Sequence, residues 1–329
     1  MSAPRLTGSW IDVVHPNHRD GVYWNRRTLA YSEADWHTLV RHLRHDLQID
    51  TLILQNVAKD GGSVYPSRVL NWQWHTPACA DPIAALLNAC AAEGVDLWLG
   101  VGMRQVEPGH DDRDPTTANL EWYGAVGNEL SERYGAHPAF TGWYLAAELG
   151  IRAGSWQPAQ LAWAAATAGL LRQRLAKPVM SSPYFESGDY RVADSRDFSA
   201  GITATGCDII SYQDGIGVAT AVQIPYPPDP WRHSHLWREL SAAHAPTRVE
   251  LWANCESFAF ENNIWGQPLV PAPWTRLRDQ IAAAAPHVAR VVSYTLPGVM
   301  TSQTVCPGLG SPETETLYLA YRQHLSELE

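Results

Sequence analysis

The sequence predicts a single (β/α)8 barrel of the α/β class, and three observations predict it. Eight short, nearly continuous apolar runs recur along the chain, the pattern of parallel strands buried on both faces. Stretches with helical periodicity separate them. The connections leaving the carboxyl ends of the strands are long, whereas those leading into the next strand are short. One decorated rim and one plain rim is what a barrel enzyme requires, because its site is built on the carboxyl-end face.

The candidate strands are Gly8–Val14, Thr51–Val57, Asp96–Gly102, Phe140–Ala146, Pro178–Ser182, Asp208–Gln213, Val249–Asn254 and Val291–Leu296. The first helix opens at Ser32-x-x-Asp35, an N-cap with an acidic third residue, and Trp36, Leu39, Val40, Leu43 and Leu47 share its apolar face. Helices follow at Pro82–Ala92, Thr117–Tyr134, Trp156–Leu175 and, more weakly, Arg191–Phe198. Asp229-Pro230 places a capping carboxylate before a proline that can open a helix. Trp274–Ala285 is the next helix, and Ser311-Pro312 is read as the start of the last. The long loops are Val57–Ala80, Met103–Thr116, Asp214–Asp229 and Cys255–Pro273. Eight units in 329 residues average about 41 each, somewhat above the minimal barrel unit. A doubly wound open sheet is the rival, but no GxGxxG follows the first strand, where the text is VVHPNH. No linker, repeat or low-complexity stretch divides residues 1–329, so one domain is expected.

Composition narrows the function. With 45% hydrophobic and 18% charged residues a large core can form. The 24 basic and 34 acidic side chains leave a formal charge of −10, which disfavours nucleic acid and anionic membrane as partners. No run of 18 apolar residues could span a membrane, and the first residues lack a secretion-signal pattern. Five cysteines without CxxC spacing read as reduced thiols, so a cytoplasmic location is expected.

Carboxylates at strand tips carry the chemistry. Glu148, in GWYLAAELG, lies just beyond the fourth strand, and Glu256, in LWANCESF, just beyond the seventh. A carboxylate ending an apolar run has a desolvation cost and needs a partner, a raised pKa or a catalytic task. Two glutamates converging across a barrel mouth suit glycoside hydrolysis, in which one protonates the leaving oxygen and the other attacks the anomeric carbon or activates water. Asp214 is the rival for either role. Aromatic rings stack on the apolar faces of sugars, and Tyr65, Trp72, Trp74, Tyr184, Phe185, Phe258, Phe260 and Trp265 lie in rim loops. Trp10, Asp12, Gln55, Asn56, Tyr212, Gln213, Asn254 and Tyr294 complete the candidate binding or orienting set, with Tyr212 or Tyr294 expected to keep Glu256 ionised. Trp143 and Tyr144 are expected to form an apolar wall beside Glu148. His15-x-x-His18 and GHDDRD match no metal-site spacing, so neither metal nor cofactor is expected.

The strings GSWIDV, DTLILQNV, GWYLAAELG, KPVMSSPYF, DIISYQDGIGV and LWANCESF, in this order, resemble the bacterial domain of unknown function numbered 4434, DUF4434, from about Gly8 to Tyr294. The resemblance implies a glycoside-hydrolase-like barrel with a pocket at the carboxyl face. The chain is also similar to the large retaining glycosidase clan, whose acid/base follows the fourth strand and whose nucleophile follows the seventh. That resemblance implies Glu148 as acid/base and Glu256 as nucleophile, acting on a small soluble glycoside. Ala147 stands where the clan usually carries an asparagine that contacts the substrate's 2-hydroxyl. A carbohydrate-binding barrel without hydrolysis and a metal-assisted sugar isomerase or lyase are the alternatives, and the oligomeric state is open.

Overall fold

In a computed structural model, residues 4–73, 75–104, 106, 111–186, 190–221 and 230–328 are described. Eight parallel strands close into a barrel: β1 (Gly8–Ile11), β2 (Thr51–Leu54), β3 (Asp96–Gly100), β4 (Phe140–Leu145), β5 (Val179–Ser181), β6 (Ile209–Gln213), β7 (Glu250–Glu256) and β8 (Arg290–Tyr294). Each pairs with its sequence neighbours, and β8 closes onto β1. All eight candidate strands are therefore present, and the open-sheet alternative is excluded. Outside lie α1 (Glu33–Asp46), α2 (Pro82–Glu93), α3 (Thr117–Tyr134), α4 (Pro158–Arg174), α5 (Ser195–Ala204), α6 (Pro230–His244), α7 (Trp274–Ala284) and α8 (Thr314–Leu328).

Helix starts follow local chemistry where a cap is available. The Ser32 hydroxyl accepts the Asp35 N–H and the Asp35 carboxylate accepts the Ser32 N–H, the reciprocal box read from the sequence. Three expected starts are wrong. Helix α4 begins at Pro158, not Trp156, because Ser155–Trp156 pairs with Ile151–Arg152 as a short strand. Helix α5 begins at Ser195, not Arg191, because the Asp194 carboxylate accepts the N–H groups of Arg196 and Asp197. Helix α8 begins at Thr314, and the Ser311 hydroxyl finds no partner, so Ser311 does not cap it. Asp229 lies outside the described residues.

Successive strand residues point to opposite faces, and both faces here are apolar. The result is two separate cores. Trp10, Ile53, Trp98, Tyr144, Met180, Ile209, Trp252 and Val292 fill the barrel interior. Ile11, Leu52, Leu99, Trp143, Leu145, Ile210, Tyr212, Leu251 and Cys255 pack outward beneath the helices. Trp98 and Trp252 meet edge to face at 6.1 Å in the interior. The ring of Trp98 occupies the space beside Gly142, its register partner on β4, where a Cβ would lie 2.3 Å from the indole. Gly142→Ala should cost about 1–3 kcal/mol by overpacking. Urea unfolding should show a lower midpoint with an unchanged slope.

The long carboxyl-end loops carry small sheets of their own. A hairpin of Phe258–Phe260 and Leu269–Pro271 follows β7, and Tyr184–Phe185 pairs with Gly150–Arg152, tying the loops after β4 and β5 together. In the loop after β2, the buried Glu129 of α3 accepts hydrogen bonds from the Tyr65 hydroxyl (2.9 Å), the Ser67 hydroxyl (2.5 Å) and the Arg68 N–H (2.6 Å).

Candidate active site

At the carboxyl end of the barrel a cavity of about 270 Å³ opens. Glu148 and Glu256 both line it, with Trp10, Gln55, Gln213, Asn254, Phe258, Trp265 and Tyr294 of the expected set. Strand parity explains the selection. From Glu256 the inward positions of β7 run back through Asn254 to Trp252, and from Glu148 those of β4 run back through Ala146 to Tyr144.

The same parity turns other expected residues away. Tyr212 faces the helical shell, where its hydroxyl lies 3.1 Å from His244 Nε2 and its ring stacks on Phe185 and Phe198. It cannot orient Glu256. Tyr294 does line the cavity, but its hydroxyl donates to Asp12 Oδ2 (3.1 Å), so it does not serve Glu256 either. Asp12 and Asn56 are buried and do not line the cavity. Asp214 is buried behind the β7 end with both oxygens bonded, which removes it as a rival catalytic group. Trp143 points outward and donates to the Leu175 carbonyl, so Tyr144 alone of that pair forms the wall.

Among the expected aromatics, Trp72 is about half exposed on the small sheet after β2, and Tyr65 is buried against Glu129. Neither they nor Tyr184 and Phe185 line the cavity, and Trp74 lies outside the described residues. The β7 hairpin supplies the aromatic wall instead: Phe258 and Phe260 are buried, and Trp265, 57% exposed, stands at the rim.

Sequence reasoning gave Tyr144 only the part of an apolar wall and did not place His15 or Asp20 in the cavity. Tyr144 lies on the cavity wall with its hydroxyl bonded to Trp10 and Gln55. His15 lines the cavity, and burial lowers its pKa to about 4, so the ring is neutral near pH 7. Asp20 also lines it, and burial raises its carboxyl to about 6. Parity with Glu148 places Tyr144 on the wall, whereas His15 and Asp20 sit in an irregular loop with no periodicity to place them.

The two glutamates are held differently. Gln213 Nε2 donates to Glu148 Oε1 (2.8 Å) and to the Ser182 carbonyl (3.0 Å), while Arg113 donates to the Glu148 carbonyl (2.5 Å). Burial raises the Glu148 carboxyl, and the Gln213 amide and Arg113 charge pull it partly back. Glu256 Oε2 accepts the Val218 N–H (2.9 Å) at the start of the short helix Ile216–Ala221. Burial, then the charge of Asp214, lift Glu256 to about 8. Its folded-state pKa is thus above the ordinary 4.5, so its contribution to stability is present below that value and is lost as pH rises through about 8. Thermal melts should therefore show Glu256→Gln more stable than the native chain at pH 9, the difference vanishing near pH 4.

The described residues contain no group of three or more metal-ligating side chains and no helix long and apolar enough to cross a membrane. His110 of GHDDRD lies outside them.

The sequence profile of a domain of unknown function, DUF4434, matches residues 6–306. No curated protein matches the chain in sequence. Among solved structures, the chain is similar to a candidate α-L-fucosidase from Bacteroides thetaiotaomicron VPI-5482, with TM-score 0.72 at 17% identity over 99% of this chain and 96% of that one. It is also similar to an endo-1,4-β-mannanase from Rhizomucor miehei, with TM-score 0.59 at 12% identity over 98% and 95%. A GH113 β-1,4-mannanase gives TM-score 0.56 at 11% identity over 97% and 98%. At these identities the likeness is one of fold, that of the glycoside-hydrolase barrels.

Proposed function

The chain belongs to the DUF4434 family, and from that premise we propose that it is a glycoside hydrolase with Glu148 as general acid/base and Glu256 as nucleophile. The observation that carries the proposal is that glutamates from the tips of β4 and β7 line one aromatic-walled cavity. Glu148 gives its proton to the glycosidic oxygen while Glu256 attacks the anomeric carbon, forming a glycosyl ester. Water, deprotonated by Glu148, then releases the sugar with retained configuration.

The cavity suits a small ligand. At about 270 Å³ it fits a single sugar ring with the Trp265 indole beyond it, as in an enzyme acting on chain ends or short soluble saccharides. The five cysteines, all unpaired and buried, fit a reducing cytoplasm.

Charge narrows the sugar. Among the described residues lining the cavity, three are carboxylic acids and none is Lys or Arg. Asn254 Oδ1 and Gln55 Oε1 are buried acceptors with no partner, and sugar hydroxyls would supply the missing donors. Neutral aryl glycosides should be cleaved at least about tenfold faster than the matching uronides, since placing a carboxylate beside buried acids costs more than about 1.4 kcal/mol. A panel of neutral and anionic aryl glycosides, followed by aryl alcohol release, checks both statements. No release from any neutral glycoside sinks the proposal.

One observation favours exchanged roles. Gln213 donates to Glu148 and favours its charge, whereas burial and Asp214 keep the proton on Glu256. In that reading Glu256 is the acid and Glu148 the nucleophile. The Glu256→Ala and Glu148→Ala variants separate the assignments.

A further inference from the structure

Asp214 closes β6 one residue past Gln213 and is turned away from the cavity, 1% exposed. Its Oδ1 accepts the N–H of Ile216 (3.2 Å) and of Glu256 (3.2 Å), and its Oδ2 accepts Gln280 Nε2 (2.6 Å). Gln280 also reaches the Glu256 carbonyl (3.2 Å), and Arg276 Nη2 donates to that carbonyl (3.0 Å) and to the Phe258 carbonyl. One carboxylate thus joins the end of β6, the start of the helix Ile216–Ala221, the end of β7 and, through Gln280, α7.

That helix start is what holds Glu256. The Gly217 and Val218 N–H groups bind its carboxylate, Val218 at 2.9 Å from Oε2. The approach requires glycine at 217, because a Cβ there would lie 2.6 Å from the Phe258 carbonyl oxygen and 3.0 Å from Glu256 Oε2. A neutral asparagine could cap Ile216 equally well. The feature that capping leaves unexplained is a buried negative charge directly behind a second carboxylate.

We propose that Asp214 is a positioning residue for Glu256: through the Ile216 amide it fixes the Gly217–Val218 cradle on the Glu256 carboxylate, and through its charge it opposes ionisation of that carboxylate. The role of Glu256 as a reacting group rests on the hydrolase reading; the cradle and the charge do not.

Titratable groups surround Glu256 on every side: across the cavity lie Glu148 beyond β4 and His15 and Asp20 of the loop after β1. Asp214 comes from β6, Cys255, its thiol bonded to Asp214, from β7 itself, and Tyr294 from β8. Arg276 comes from α7 and Tyr190 from the segment after β5. Of the charges around it, Asp214 opposes a negative charge on Glu256 most strongly, and Arg276 favours one.

The test is a titration of the Glu256 carboxyl by ¹³C NMR in glutamate-labelled protein, its signal assigned by loss in Glu256→Gln. In Asp214→Asn the fold can adapt, because Gln280 Oε1 is buried without a partner and an amide rotation offers it to the new NH₂. Proton binding at Glu256 should weaken about tenfold or more, so that its midpoint falls. Gln280→Leu keeps the Asp214 charge but removes its donor, and the midpoint should rise. A midpoint unmoved in both variants, with only lower melting temperatures, assigns Asp214 a purely structural role and overturns the proposal. So does a shift of the same sign in both. The readout needs no turnover: the expected shifts in a protein that cleaves no aryl glycoside would leave this inference standing and remove the hydrolase reading alone.

Discussion

Replacing Glu256 by alanine should lower turnover of an aryl glycoside by roughly three to five powers of ten while the far-ultraviolet circular dichroism stays native. The size follows from the step removed: without the carboxylate there is no nucleophile to form the glycosyl ester, and activated leaving groups offer no bypass. The fold should persist because the Arg276 charge that favours an ionised Glu256 is outweighed by burial and by Asp214. Burial and the neighbouring Asp214 charge work against its ionisation, and its backbone contacts to Asp214, Gln280 and Arg276 are independent of the side chain. Added azide should restore turnover as the glycosyl azide of inverted configuration, since the small anion can attack from the vacated side.

Replacing Glu148 by alanine should behave differently. For a dinitrophenyl glycoside, which departs without a proton, formation of the glycosyl ester should be nearly as fast as in the native chain. For an alkyl or weakly activated aryl glycoside the loss should be roughly two to four powers of ten, the usual worth of a positioned acid. Azide should rescue the second step and give the azide of retained configuration. The contrast between the two variants decides the roles: if Glu256→Ala spares the activated substrate and Glu148→Ala does not, the exchanged assignment holds. The pH dependence adds a sign. With Glu256 as nucleophile, kcat/KM of the native chain for a dinitrophenyl glycoside, which needs no proton from Glu148, should climb as pH rises toward about 8, because the free enzyme holds the proton on Glu256 below that value. Asp214→Asn should move that ascent to lower pH.

Much of the fold was legible because a parallel barrel writes a simple pattern. Runs such as TLILQNV and DLWLGVG are apolar on both faces, and each marks a strand wherever it occurs. The same property hid which side chains face the cavity. With both faces apolar, no polar alternation marks the inward parity of β6, so Tyr212 and Asp214 read as equal candidates beside Gln213, although only Gln213 turns inward. Anchoring the parity on Glu256 and Glu148 recovers Asn254, Ala146 and Tyr144, all of which line the cavity. Loop contributors are legible only in part. Phe258 and Trp265 reach the cavity because a hairpin follows β7 directly, whereas Tyr65 and Trp72 are carried off by the Glu129 contacts and a separate small sheet. Helix starts followed caps faithfully at Ser32 and failed at Ser311, where a proline and a serine alone did not secure the first turn.

The most direct test is mechanism-based trapping. A 2-deoxy-2-fluoro glycoside with an activated aryl leaving group forms the glycosyl ester but slows its hydrolysis, so the sugar remains on the protein. Intact mass should rise by one fluorosugar per chain with release of one aryl alcohol, and the labelled peptide should carry the sugar on Glu256. A neutral glycoside that is cleaved yet leaves its fluorosugar on Glu148, or on no residue, would contradict the account.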